Sequence, residues 1–219
     1  MALNINGTTG ISGVDGSVSA PALTGTDSNT GITFPSADTI KFSTGGVERM
    51  SITNSGFGGI IQGTTEYDIY KLTSNFTVPN ASSFITANLA RVTFFFEKIG
   101  TGMSVSSGVF SFPSTGKYEI HAFFQGFHTA GNDDIFKLGM YGTTNDSDFN
   151  EIVNCRAGTD NASEAFSTSF VYLVNITNIS THKIKFGTST AGSNVLQLDG
   201  ANNNILDGTY FIFKKVGET

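Results

Sequence analysis

Apolar and polar residues alternate along much of the second half of the chain. In "VFSFPSTGKYEIHAFFQGF", Phe110 and Phe112 alternate with polar or small residues, a Pro-Ser-Thr-Gly turn follows, and the alternation resumes at Tyr118 and Ile120. A period of two predicts strands with one buried face. Further segments of this kind are separated by Asn, Asp, Gly and Ser: "DIFKLGMY", "EAFSTSFVYLVNI", "HKIKFGTS", "NVLQL" and "GTYFIFKKV".

About ten short strands without a helical period predict an all-β fold, a jelly-roll β-sandwich over residues 60–219 with almost no helix. In "RVTFFFEKI" the same alternation puts Val92, Phe94 and Phe96 on one face, and leaves Phe95 for the second face or for a contact between copies. The predicted core of the sandwich comprises Phe94, Phe96, Phe110, Phe112, Tyr118, Ile120, Phe124, Phe170, Phe186, Phe211 and Phe213.

Residues 1–59 have a different pattern. They are rich in Gly, Thr and Ser, and "DTIKFSTGGVERMSI" predicts two short strands around a Gly45-Gly46 turn. Their large apolar residues are too few to offset the entropy lost on ordering so long a segment. We therefore expect an extended, β- and turn-rich segment that completes its core with copies of itself. The expected contacts are Ile32, Phe34, Ile40, Phe42, Met50 and Ile52.

Composition excludes several classes of function. The chain has 26 Gly, 20 Phe and no Trp among 219 residues, which favours short strands and tight turns. Its net charge is −6 and its basic residues are scattered, so no nucleic-acid partner is expected. No apolar run is long enough to span a bilayer, and "MALNINGTTG" lacks the features of a secretion signal. We expect a protein that is made in the cytoplasm and does not insert into a membrane.

The segment "TGITFPSADTIKFSTGGVERMSITNSG" resembles a segment of marine bacteriophage fibre proteins. The resemblance rests on Thr30-Gly31-Ile32, Pro35, Ala37-Asp38-Thr39-Ile40, Phe42, Thr44-Gly45-Gly46, Glu48-Arg49-Met50, Ile52 and Ser55-Gly56. It covers about thirty residues. It implies a homotrimeric virion fibre whose residues 1–59 attach to other virion proteins and form the shaft.

The C-terminal part resembles the jelly roll shared by the complement C-one-q globular head and tumour necrosis factor. The residues that carry this resemblance are Gly108, Phe110, Phe112-Pro113, Gly116, Tyr118 and Ile120, with "GTYFIF" as the closing strand. It implies a compact threefold trimer. The sequence departs from the family at Ser180-Thr181, where Gly-Asp is frequent, so no ligand or metal residue is transferred.

Few residues carry candidate chemistry. Asp146, Asp148 and Asn150 have the spacing of the start of a calcium loop, but Glu151 and Ala157 stand where an EF-hand has Gly and Glu, so only a loop calcium site remains open. Cys155 is expected to be a small strand residue, and no cofactor is expected. Polar or interface roles are expected for His121, His128 and His182.

Together these features predict a non-enzymatic bacteriophage virion protein. We expect a short homotrimeric fibre whose C-terminal knob binds a host-surface glycan or protein. One alternative is a head, collar or tail-junction decoration protein with an assembly role. A fibre that degrades polysaccharide and a secreted animal protein are more remote alternatives.

Overall fold

The chain divides into two compact units, residues 1–63 and 64–219. The computed structural model describes residues 4–6, 10–12, 15–58, 64–78, 83–128, 134–159, 164–190, 196–201 and 206–219. In this part of the chain all regular structure is β-structure, which confirms the predicted fold class. The division falls four residues after the expected boundary at residue 59.

The N-terminal unit is built from short strands joined by turns. They are β1 (Asn4–Asn6), β2 (Gly10–Ser12), β3 (Gly16–Ser17), β4 (Ala20–Pro21), β5 (Leu23–Thr24), β6 (Gly31–Thr33), β7 (Ile40–Thr44), β8 (Val47–Thr53) and β9 (Gly56–Gly58). Strands β5 to β9 form an antiparallel sheet in sequence order, while β1 pairs with β2 and β3 with β4. The predicted hairpin is confirmed: Gly45 and Gly46 join β7 to β8 with φ angles of 59° and 74°, which glycine adopts without strain.

The C-terminal unit contains longer strands. They are β10 (Tyr67–Leu72), β11 (Phe76–Val78), β12 (Ser83–Phe84), β13 (Leu89–Arg91), β14 (Ser104–Ser106), β15 (Val109–Ser111), β16 (Gly116–His128), β17 (Asp134–Thr143), β18 (Asn150–Thr159), β19 (Ala165–Ile176), β20 (Lys183–Thr190), β21 (Leu196–Leu198) and β22 (Tyr210–Gly217). Short edge strands raise the number above the predicted ten.

Two antiparallel sheets form the sandwich. Sheet I has the order β13-β10-β22-β16-β19, and β21 and β11 extend it beside the far end of β16. Sheet II has the order β14-β15-β20-β17-β18, with β12 beside β20. The edge strands β18 and β19 are neighbours, and the Thr168 hydroxyl donates to the Arg156 carbonyl at 3.3 Å.

Aromatic rings fill the space between the sheets. Phe186 of sheet II stacks on Phe211 of sheet I, with ring centroids 3.8 Å apart and planes at 11°. Phe110 contacts both residues edge-on. Of the predicted core residues, the structure buries Phe110, Phe112, Tyr118, Ile120, Phe124, Phe170, Phe186, Phe211 and Phe213.

Phe94 was expected in this core, and that expectation is wrong. Strand β13 ends at Arg91, and the chain turns at Phe94 and Phe95 instead of continuing as a strand. Phe94 is therefore exposed, and Phe96 is only half-buried, with its ring 5.8 Å from that of Tyr67. Apolar alternation did not reveal the turn because a turn leaves no periodic pattern of its own.

Candidate functional site

A cleft of about 570 Å³ opens beside β19, where sheets I and II meet at one edge of the sandwich. Tyr172 and Leu173 of β19 line one side, and Ile152 of β18 lines the other. The loop between β17 and β18 contributes Asn145 and Asp148. The cleft thus combines an apolar wall with a polar rim, as ligand sites commonly do.

Asn145 holds this loop in shape. Its side-chain oxygen accepts hydrogen bonds from the backbone nitrogens of Ser147 at 3.0 Å and Asp148 at 2.9 Å. Its amide nitrogen donates to the Asp148 carboxylate at 2.6 Å. An Asn side chain that bonds to the backbone two and three residues later stabilises a tight turn. The polar rim is therefore pre-formed.

The loop calcium site that the sequence left open finds no support in the contacts of this loop. The Asp146 carboxylate pairs with Lys183 Nζ at 2.6 Å, and one oxygen of Asp148 is occupied by Asn145. Within the described residues, no three His, Cys, Asp or Glu side chains are placed to hold a metal ion. Sequence spacing suggested shared ligation, but the neighbouring lysine on β20 neutralises the first carboxylate.

His182 and Asn175 add hydrogen-bonding capacity to the cleft. The backbone nitrogen of Thr177 donates to His182 Nδ1 at 3.3 Å, so the neutral imidazole carries its proton on Nε2. In the described part of the chain, neither the Tyr172 hydroxyl nor the Asn175 amide has a hydrogen-bond partner. Together these groups offer donors, acceptors and an aromatic face to a polar ligand.

The outward face of sheet I is a second candidate surface. Val171 and Leu173 of β19 are each more than half exposed, and His121 of β16 is paired with Val171 in the sheet register. His121 Nε2 lies 2.9 Å from the Glu119 carboxylate, and this hydrogen bond lowers the pKa of Glu119. This face therefore combines apolar residues with one polar pair.

The N-terminal unit also leaves an apolar face open. The strand registers place five of the six expected contact residues, Ile32, Ile40, Phe42, Met50 and Ile52, on one side of the five-stranded sheet, and the exposed sixth, Phe34, directly follows β6. They are half-buried or exposed, whereas the small polar residues Thr33, Ser43 and Ser51 on the other side are buried. Pro21 of β4 is buried close to Gly31 on that polar side. Within a single chain, the side of the five-stranded sheet that carries small polar residues is therefore covered, and the side that carries the apolar residues stays accessible.

The remaining candidates have structural roles. Cys155 lies on β18, where its thiol donates weakly to the Leu138 carbonyl at 3.5 Å and burial raises its pKa. The backbone of His128 belongs to β16, but its side chain lies outside the described residues. No helix in the described part of the chain is long and apolar enough to cross a membrane.

No model of a known protein family matches the chain, and no curated protein is significantly similar to it in sequence. Solved structures share its fold. Eiger, a TNF protein from S. frugiperda, matches with a TM-score of 0.53 at 8% identity, over 72% of this chain and 96% of Eiger. The C-terminal unit has the jelly-roll fold of a TNF protein. Murine APRIL and the PRD1 vertex protein P5 are less similar, with TM-scores of 0.48 and 0.42 and identities of 10% and 13%. The matches cover 69% of this chain and 98% of APRIL, and 71% of this chain and 99% of P5.

Proposed function

We propose that this chain is a structural component of a bacteriophage particle, a short homotrimeric fibre. Residues 1–59 attach it to other virion proteins and form the trimeric shaft, and the C-terminal jelly roll is a knob that binds a host-surface ligand. The carrying observation is the open apolar side of the N-terminal sheet. It comprises Ile32, Ile40, Phe42, Met50 and Ile52, which are five of the six residues expected as trimer contacts.

Trimer formation explains why that side is apolar. Ile32, Phe42 and Met50 lie in one row across β6, β7 and β8, and none is fully buried by its own chain. Exposed apolar rows are costly in a monomer and mark contact surfaces. Two sister chains supply the missing cover.

The knob offers a site for the host ligand in the cleft beside β19. Tyr172 provides an aromatic face, while Asn175 and His182 provide hydrogen-bonding groups. This chemistry suits the hydroxyl and amide groups of a glycan or of a protein loop. Three knobs in one fibre bind three ligands together, so weak individual contacts add up to firm attachment.

The binding role requires no chemical step. Incubation of the purified protein with host capsular polysaccharide is expected to release no reducing ends. Release of reducing ends would show that the knob is a polysaccharide-degrading enzyme.

Two measurements test the proposal. Mass photometry of the purified chain should give a mass near three times 23.2 kDa. Immunogold labelling of particles of the encoding phage should place the chain at the tip of a projecting fibre. Gold confined to the head, collar or tail junction would favour the decoration role, and unlabelled particles would contradict a virion role.

A further inference from the structure

Two phenylalanines stand out from one edge of the knob. Phe95 is 98% exposed and Phe94 is 47% exposed, and their rings contact each other edge-on with centroids 4.8 Å apart. We call Phe94–Phe95 the aromatic tip. Isolated apolar residues are common on protein surfaces, but two adjacent exposed phenylalanines, one of them almost fully exposed, are not.

The aromatic tip is held outward by the structure at both ends. On one side the Val92 nitrogen donates to the Ile69 carbonyl at 2.9 Å, and on the other Ile99 forms a two-way backbone bridge with Tyr67. Phe95 has a φ of 48°, a left-handed conformation that bulky residues rarely adopt. Such outliers persist where the surroundings enforce them, and they concentrate at binding sites.

A matching patch lies on the opposite edge of sheet I. Val171 and Leu173 of β19 are 56% and 55% exposed, and Tyr172 between them is 38% exposed. Val171 and Leu173 point away from the core, and both Tyr172 and Leu173 border the cleft. We call Val171–Leu173 the β19 patch.

The strand registers place the aromatic tip and the β19 patch at the same height. One row across the sheet runs from Ile69 through Ile212 and His121 to Val171. A second row, two residues along, runs from Tyr67 through Lys214 and Glu119 to Leu173. Because Ile69 and Tyr67 anchor the tip, it projects from one edge at the level where the patch lines the other.

We propose that, in the trimer, the aromatic tip of each copy packs against the β19 patch of the next copy and forms one wall of its cleft. This inference rests on the proposed homotrimer. In a ring whose axis runs along the strands, rotation preserves height, so two features on opposite edges meet only if they lie at one level. Such a head-to-tail contact closes when the rotation returns to the first copy.

Charge favours a second copy over a lipid surface as the occupant. The segment after the aromatic tip carries one acidic and one basic residue, Glu97 and Lys98, and is therefore not a basic segment, while the whole chain carries a net charge of −6. Membrane surfaces attract basic segments and repel acidic ones. The β19 patch is apolar and bears no charge, so the tip can pack against it without burying an unpaired ion.

Disulfide trapping tests the contact directly. Two full-length variants are prepared, F95C and L173C, each in a C155S background, and one of them carries a size tag. They are mixed so that subunits exchange, and the mixture is then oxidised with copper phenanthroline and air. The two thiols lose two electrons and two protons to oxygen and form one disulfide. We expect a mixed covalent dimer from the mixture, and a covalent trimer when both cysteines are on one chain.

The matched control is F95C mixed with S167C. Ser167 is exposed on the same face of β19 but six residues away, about 20 Å along the strand. This mixture should give no mixed dimer. Equal trapping at both positions would overturn the contact, and so would F95C that crosslinks with itself, since that places two tips together.

Dilution supplies a second measurement. The double variant F94S/F95S should raise the concentration at which half the chains are trimeric by at least about tenfold. The reason is that burying one phenylalanine side chain strengthens association by more than about tenfold in the equilibrium constant. The control is I179S, at an exposed position in the loop after β19, which should leave that concentration unchanged. A trimer unaffected by F94S/F95S and without trapping would overturn the contact and leave the homotrimer standing. A monomeric wild type would overturn both.

Discussion

Arg91 of β13 and Asp68 of β10 form a two-pronged ion pair between neighbouring strands of sheet I. Arg91 Nε lies 2.8 Å from Oδ1 and Nη2 lies 2.9 Å from Oδ2 of a carboxylate that is 1% exposed. The Met103 nitrogen also donates to Asp68, and Arg91 Nη2 donates to the Met103 carbonyl at 2.6 Å. The pair therefore ties β13 and the segment before β14 to β10, on both sides of the aromatic tip.

Replacing Asp68 by Asn should destabilise the knob strongly. The substitution leaves Arg91 without its counter-ion, and breaking a buried pair costs about 3–5 kcal/mol, less here because Arg91 is partly exposed. Urea unfolding followed by circular dichroism should show the loss. D146N, which breaks the exposed pair with Lys183, should cost under about 1 kcal/mol. Equal effects would show that the buried pair does not organise the knob.

Replacing Phe211 by Ala should create a cavity beside Phe186, on which its ring stacks. Truncating a fully buried phenylalanine costs about 3–5 kcal/mol. I179A removes an exposed side chain and should cost less than about 0.5 kcal/mol. Similar urea midpoints for the two variants would contradict the position of the core.

Deleting residues 1–63 should leave a folded knob. Among the described residues, all members of the buried apolar cluster come from the C-terminal unit, so the truncation removes none of them. Far-UV circular dichroism should retain a β spectrum, and urea unfolding should stay cooperative. A truncated chain that unfolds without cooperativity would contradict the independence of the two units.

Acid should weaken the link between β17 and β18. A hydrogen bond from Lys137 lowers the pKa of Glu151, and one from Asn154 adds to it, against the effect of burial. A carboxylate whose pKa is lower in the folded than in the unfolded chain stabilises the folded state at pH values above the unfolded pKa, about 4.3. This stabilisation disappears as the pH falls through the folded pKa. The gap in urea midpoint between wild type and E151Q should therefore be larger at pH 7 than at pH 3. An equal gap at the two pH values would contradict this contribution of Glu151.

Cys155 should react slowly with thiol reagents. Burial raises the pKa of its thiol and limits access, so little thiolate is present at pH 7.5. Iodoacetamide should modify native Cys155 at least about tenfold more slowly than an exposed cysteine, such as that of F95C/C155S. Unfolding in urea should remove the difference. Equal rates in the native chain would contradict the half-buried position of Cys155.

The jelly roll was predictable because its signals are local and repetitive. Alternation marked Phe110, Phe112, Tyr118 and Ile120 as one face, and Gly45-Gly46 marked a hairpin, since both depend only on the period of a strand and on turn chemistry. Alternation failed at Phe94, where a turn replaces the strand. The spacing of Asp146, Asp148 and Asn150 suggested a metal site because it carries no information about Lys183 on another strand.

The sequence by itself determined the all-β class, most of the core and the apolar set at residues 32–52, because side-chain period and turn residues act over a few positions. Only the tertiary structure brought Asp68 to Arg91, formed the cleft beside Tyr172 and placed Tyr67 in one row with Leu173 across sheet I. Those relations depend on which distant strands pair and in what register, and this is decided by packing between the sheets.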